Sequence, residues 1–118
     1  MVKINLDKLI GLKGAIGALE YTPSGELVSY KGELPEEIAT MAAKMCAANT
    51  LLVSMQAENL TRFNREEWTP FYGWAFAAGK YSVCVMGQAG VIVESKEADF
   101  NNIFGVLSEE AHVYSKAA

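Results

Sequence analysis

The chain has 118 residues, 14 of them acidic and 10 basic, a net charge of −4 and an apolar fraction of 51%. A mildly acidic chain repels phosphate backbones, which disfavours general nucleic-acid binding, and no Lys/Arg cluster is present to hold anionic lipid. The length fits one domain across 1–118, and the apolar half suffices for a full core with surface to spare for a partner.

The opening Met-Val-Lys-Ile-Asn-Leu-Asp carries Asp7 early and has no apolar core of signal-peptide length. Asn5 is placed to cap a short helix with Leu6, Leu9 and Ile10 on one face, which Gly11 and Gly14 end. Ala15 to Tyr21 reads as a strand. Thr22-Pro23-Ser24-Gly25 is a turn, because Pro fixes φ and Gly accepts positive φ. Glu26 to Lys31 returns as the second strand of a hairpin.

Pro35 suits the first position of a helix, and Glu36 and Glu37 favour its positive end. No Gly or Pro interrupts the chain from there to about Arg65, and strong helix formers dominate. Pro70 and Gly73 break the pattern. Gly73 to Ala78, Tyr81 to Met86 and Gly90 to Glu94 then read as three strands, with Gly79-Lys80 as a tight hairpin turn. Phe100, Ile103, Phe104, Leu107 and Ala111 follow helical spacing. The expected fold is α+β: a five-stranded, mostly antiparallel sheet, one long helix on one face and two shorter helices. The order is helix-strand-strand-helix-strand-strand-strand-helix.

At about 100° per residue, Glu37, Thr40, Lys44, Ser54, Glu58, Thr61 and Arg62 form a polar face on the long helix, interrupted by Ala47 and Leu51. Ile38, Ala42, Met45, Val53, Leu60 and Phe63 lie opposite, flanked by Met41, Ala48, Leu52 and Met55 on one side and by Ala39, Cys46 and Ala57 on the other. The apolar arc is about twice the roughly 100° stripe that one layer requires. Two covers would absorb the excess: the first and last helices of the same chain, or the same helix of a second copy. The small residues Ala39, Ala42, Ala43, Cys46, Ala47 and Ala48 would allow another helix to come close. Asn49 and Gln56 sit at the centre of the arc, where paired amides fix register.

Little in the chain points to catalysis. His112 stands alone near the C-terminal end and reads as a solvated or capping residue. Cys46 and Cys84 have neither zinc nor C-x-x-C spacing, and lie in apolar stretches as buried, reduced thiols would. Gly11, Gly14 and Gly17 match no phosphate loop. The pairs Glu36/Glu37, Glu66/Glu67 and Glu109/Glu110 read as solvated charge. No metal, cofactor or catalytic residue is expected. The uncharged run from Met45 up to Glu58 is shorter than the about 20 residues a bilayer crossing takes, so a cytoplasmic protein is expected.

The segment Trp68-Thr69-Pro70-Phe71-Tyr72-Gly73-Trp74 is the densest in aromatics. Trp68 and Tyr72 flank a turn and are candidates for ligand or partner contact, whereas Phe71 reads as core. The strand 73–78 is apolar on both faces, so it is either central in the sheet or paired with another chain.

Several strings carry a resemblance: Asn5-Leu6-Asp7-Lys8-Leu9, Tyr30-Lys31-Gly32, Met45-Cys46-Ala47-Ala48-Asn49, Trp68-Thr69-Pro70, Tyr81-Ser82-Val83-Cys84-Val85-Met86-Gly87 and Ala98-Asp99-Phe100-Asn101. With the order of elements, they resemble the roadblock family of dynein light-chain-like domains within the profilin-like folds. They look closer still to a branch of small bacterial and archaeal roadblock-like proteins of unknown function. The resemblance implies a homodimer in which the long helix and third strand of each copy meet and the two sheets join. On this chain that interface would comprise Met45, Ala47, Ala48, Asn49, Leu51, Leu52 and Gln56 of the helix, with Trp74 and Phe76 of the strand. It also implies a non-catalytic adaptor or regulatory scaffold, of a family whose members often bind small Ras-like GTPases or motor complexes. The alternatives are a small-ligand sensor with a cleft near Trp68 to Trp74 and, third, a redox protein relying on Cys46 or Cys84.

Overall fold

A computed structural model describes residues 4–111. It contains α1 (Leu6–Ile10), β1 (Ala15–Tyr21), β2 (Leu27–Gly32), α2 (Glu36–Asn64), β3 (Gly73–Ala78), β4 (Tyr81–Met86), β5 (Ala89–Glu94) and α3 (Phe100–Ala111), in the expected order. Every paired strand is antiparallel, and the sheet order is β2-β1-β5-β4-β3. The strand 73–78 is therefore not central, as one reading of its composition allowed. It forms one edge of the sheet.

Local chemistry sets the helix ends. The Asn5 side chain accepts the Asp7 N–H at 3.0 Å and caps α1. Glu110 of α3 ties down the same end: its Oε1 accepts the Asn5 N–H at 3.1 Å and its Oε2 lies 3.4 Å from Lys8 Nζ. Glu110 is thus an anchor between the terminal helices rather than solvated charge. Pro35 keeps an extended ψ of 153° and serves as the N-cap of α2 instead of its first helical residue. At the other end Arg65 takes a left-handed φ of 63°, and its N–H bonds to Thr61 O.

The sheet separates two apolar clusters. On one face Leu6 and Leu9 of α1 and Ile103 and Leu107 of α3 pack with Ala18, Cys84, Val91 and Val93. On the other, Ala42, Ala43 and Cys46 of α2 pack with Leu19, Tyr21, Trp74, Val83 and Val85. Alternation along each strand accounts for this division: Cys84 points one way, Val83 and Val85 the other. Since α1 and α3 occupy the face opposite α2, they do not cover the excess apolar arc of the long helix.

The small residues of α2 also have a different use from the one expected. Ala39, Ala42, Ala43 and Cys46 are buried against the sheet, so they are not free to admit a second helix. The reason is steric. The sheet presents large side chains there, among them Tyr21, Leu19 and Trp74, and α2 comes close enough only where its own side chains are short.

Cys46 and Cys84 are both fully buried, each in a different cluster on opposite faces of the sheet, which rules them out as a redox pair. Burial pushes both thiols up from 9.0 to about 11. It also pushes the Tyr21 phenol from 10.0 to about 12, against a smaller lowering by its hydrogen bond with Thr50. In each case the folded value lies above the unfolded one, so the core favours the protonated form. That stability is complete below the unfolded values and is lost as pH rises through the folded ones. The urea midpoint of unfolding should accordingly stay level from neutrality to about pH 9, then fall steadily to about pH 12 as thiols and then phenol ionise. A midpoint that rises over that range would contradict it.

Candidate functional site: the outer flank of α2 and the β3 edge

The 29 residues of α2 extend over about 44 Å at 1.5 Å per residue. Among its described residues, only the line through Ala39, Ala42, Ala43, Cys46 and Ala57 is buried. The larger apolar residues point elsewhere: Ile38, Met41, Met45, Leu52, Met55 and Phe63 are all exposed, Phe63 to 86%. Over Glu36–Phe63 the helix is long and apolar enough, by length and composition, to cross a bilayer. This span is longer than the uncharged run seen in the sequence. Its hydropathy is, however, that of a helix with two apolar faces, one of them already docked on the sheet.

The second apolar face adjoins β3. Met45, Ala48, Asn49 and Leu52 of α2 and Trp74 and Phe76 of β3 line a groove of about 350 Å³. Trp74 lies opposite Val85 and Phe76 opposite Val83 in the β3–β4 ladder, so both aromatic residues are on the α2 face of the sheet. Trp74 is only 8% exposed and forms a wall of the groove, whereas Phe76 is 52% exposed. On the other face of β3, Ala75 and Ala77 are exposed as well. The strand therefore has an open ladder edge and apolar side chains on both faces.

One partly buried polar chain holds this wall in place. Trp74 Nε1–H donates to Thr50 Oγ1 at 2.8 Å, Thr50 and Tyr21 hydroxyls are 3.2 Å apart, and Tyr21 OH donates to the Gly87 carbonyl at 3.2 Å. An indole can only donate, so Thr50 accepts from Trp74 and passes its own proton to Tyr21, whose proton goes to Gly87. Each donor is satisfied, and β3, α2, β1 and the β4–β5 turn are tied together. Sequence reading missed Thr50. Its signal was the need of two large residues, Tyr21 and Trp74, for a polar partner once buried.

The remaining expected site residues separate. Ala47 and Leu51 are on the opposite flank of α2, where they line a different cleft with Tyr21, Pro23, Ser24 and Gln88. Gln56 is exposed, two helical turns beyond Asn49 on the groove side. Trp68 and Tyr72 are exposed in the 65–72 connection and line neither the groove nor the cleft. Phe71 packs at the margin of the α2-side core. Among the described residues, no three His, Cys, Asp or Glu side chains gather where they could hold a metal ion. His112 lies outside the described residues.

The architecture is shared with solved bacterial structures. The chain matches the gliding protein mglB of Thermus thermophilus with a TM-score of 0.72 at 14% identity, over 96% of this chain and 84% of that one. It matches Myxococcus xanthus MglB with a TM-score of 0.67 at 16% identity, over 95% and 89% of the two chains. With a roadblock/LC7 domain from Streptomyces avermitilis the TM-score is 0.71 at 14% identity, over 95% and 92%. The fold is thus the roadblock/LC7 fold. By sequence, residues 5–109 match the model of an uncharacterized conserved protein family, DUF2173, and the chain belongs to that family. No functionally curated protein matches it.

The polar chain through Thr50 has a measurable consequence. Thr50→Val keeps the shape but leaves the buried Trp74 N–H without an acceptor and Tyr21 without a donor, at a cost of about 1–3 kcal/mol. Urea unfolding monitored by tryptophan fluorescence should show this loss, whereas Thr50→Ser should retain most of the stability.

Proposed function

We propose that the chain is a non-catalytic cytoplasmic adaptor that works as a homodimer. In this reading β3 pairs with β3 of a second copy, and the groove flanks of the two α2 helices pack together over the joined sheet. The observation that carries it is the combination at one place of an open strand edge, apolar side chains on both faces of that strand, and a long exposed apolar helix flank. Such an edge invites pairing with another chain. An antiparallel pair of identical strands about a two-fold axis satisfies it with a self-complementary surface.

Within this interface Met45, Ala48, Leu52 and Phe76 supply the apolar area. Asn49 and Gln56, on the same flank, supply amides that select one register over others. The buried indole of Trp74 lends a rigid wall. What the dimer holds is a protein, and the resemblance to roadblock domains points to the small Ras-like GTPase class.

Leu52→Glu and Phe76→Glu test the interface, because each residue is about half exposed in the protomer, at 53% and 52%, and tolerates a charge there. Light scattering coupled to gel filtration should give about twice the 12.8 kDa chain mass for the wild type and the single chain mass for each variant. Far-UV circular dichroism should be unchanged. A monomeric wild type, or variants that keep the doubled mass, would overturn the reading.

A further inference from the structure

The cleft on the other flank of α2 meets the groove at Ala48, which lines both, and has a different character. It encloses about 580 Å³ between Lys44, Ala47, Leu51 and Ser54 of α2, the Pro23-Ser24 turn and the Gly87-Gln88 turn, with Tyr21 and Thr50 at its floor. That volume is in the range of small-molecule sites, which are mostly apolar with a few polar groups that fix orientation. The Thr22–Gly25 turn is seated directly on the helix. Gly25 has a φ of +95°, and a Cβ there would lie 3.3 Å from Lys44 Cα, so the wall is close-packed.

Two observations define the chemistry of an occupant. First, the floor offers no free polar group: the Tyr21 and Thr50 hydroxyls are committed to each other, to Gly87 O and to Trp74, and no buried polar side-chain atom among the described residues lacks a partner. An apolar body therefore suits the interior. Second, the charge at the rim is of one sign. No Asp or Glu lines the cleft, although acidic residues outnumber basic ones 14 to 10. The one charged lining residue is Lys44, which has no carboxylate partner among the described residues.

We infer that this cleft binds a small amphipathic carboxylate, its apolar body along Ala47 and Leu51 over Tyr21 and its carboxylate at Lys44 beside Ser24. From Lys44 to Ser54 the helix offers about 15 Å of wall at 1.5 Å per residue, enough for a medium-length alkyl chain laid along it. Nothing in this assignment requires the dimer, since Lys44, Ala47, Leu51 and Tyr21 do not line the groove used for self-association, although Ala48 borders both.

Decanoate and decanol are suitable probes, titrated into the full chain with binding followed by backbone amide NMR. Decanoate should bind saturably and move the amides of Ala47, Leu51 and Gln88. Decanol should bind at least about tenfold more weakly, and Lys44→Gln should weaken decanoate by a similar factor, as loss of one charge-assisted contact does. Leu51→Asp, a change at an exposed position, should abolish binding without altering circular dichroism. Absence of saturable binding, equal affinity of wild type and Lys44→Gln, or perturbations confined to Met45, Leu52 and Phe76 would each overturn the assignment.

Discussion

The close seating of α2 on the sheet is the contact on which the rest of the molecule depends. It is made by short side chains, Ala42, Ala43 and Cys46, against long ones, Tyr21, Leu19 and Trp74. A helix that spends its alanines inward has its methionines, leucines and phenylalanine left to place. They cannot all go to the polar flank, where Lys44 and Glu58 must remain solvated. The exposed apolar flank of α2 is therefore a consequence of how the core is packed, and the hydrogen-bonded Thr50 fixes where along the helix that packing occurs.

Much of this was legible in the sequence. β1, β3, β4 and α3 follow from period-two and helical patterns bounded by Gly and Pro, and their limits agree with the expected ones. The inner face of α2 was less legible. Hydropathy weights Ile38, Met45 and Phe63 above alanine and places the centre of the apolar arc near Asn49, about 60–80° from the line through Cys46 and Ala57 that meets the sheet. Shape, not hydropathy, decides which face docks. The same limit hid the division of Ala47 and Leu51 from Met45 and Leu52, because a linear pattern does not show which turn of the sheet closes over which flank. Glu110 was misread for a related reason: an acidic pair at a helix end looks solvated until the neighbouring helix that it caps is in view.

Placing β3 at the edge sharpens the argument from composition. An edge strand in a protein selected to stay monomeric is usually short, charged or covered. Here Trp74, Ala75, Phe76, Ala77 and Ala78 offer no charge along the strand, and Phe76 is left half exposed beside α2. The opposite edge differs, since β2 carries Lys31 and is flanked by Glu26 and Glu33. The chain thus guards one edge of its sheet with charge and leaves the other bare. That asymmetry is what a single strand-to-strand pairing requires, because two unguarded edges would propagate an open fibre whereas one closes as a pair about a two-fold axis.

The two flanks of α2 are then adjoining surfaces, with Ala48 at the border of both, held by one set of bonds. Thr50 is at the floor of the cleft, and through it the Trp74 indole, a wall of the groove, is fixed to Tyr21. A displacement of Tyr21 or Thr50 has to be accommodated by Trp74, because interiors this closely packed shift in discrete steps rather than yielding locally. The geometry that gives α2 its surplus apolar flank also places the strand edge and the cleft at opposite ends of the same chain of three hydrogen bonds, from Trp74 through Thr50 and Tyr21 to Gly87.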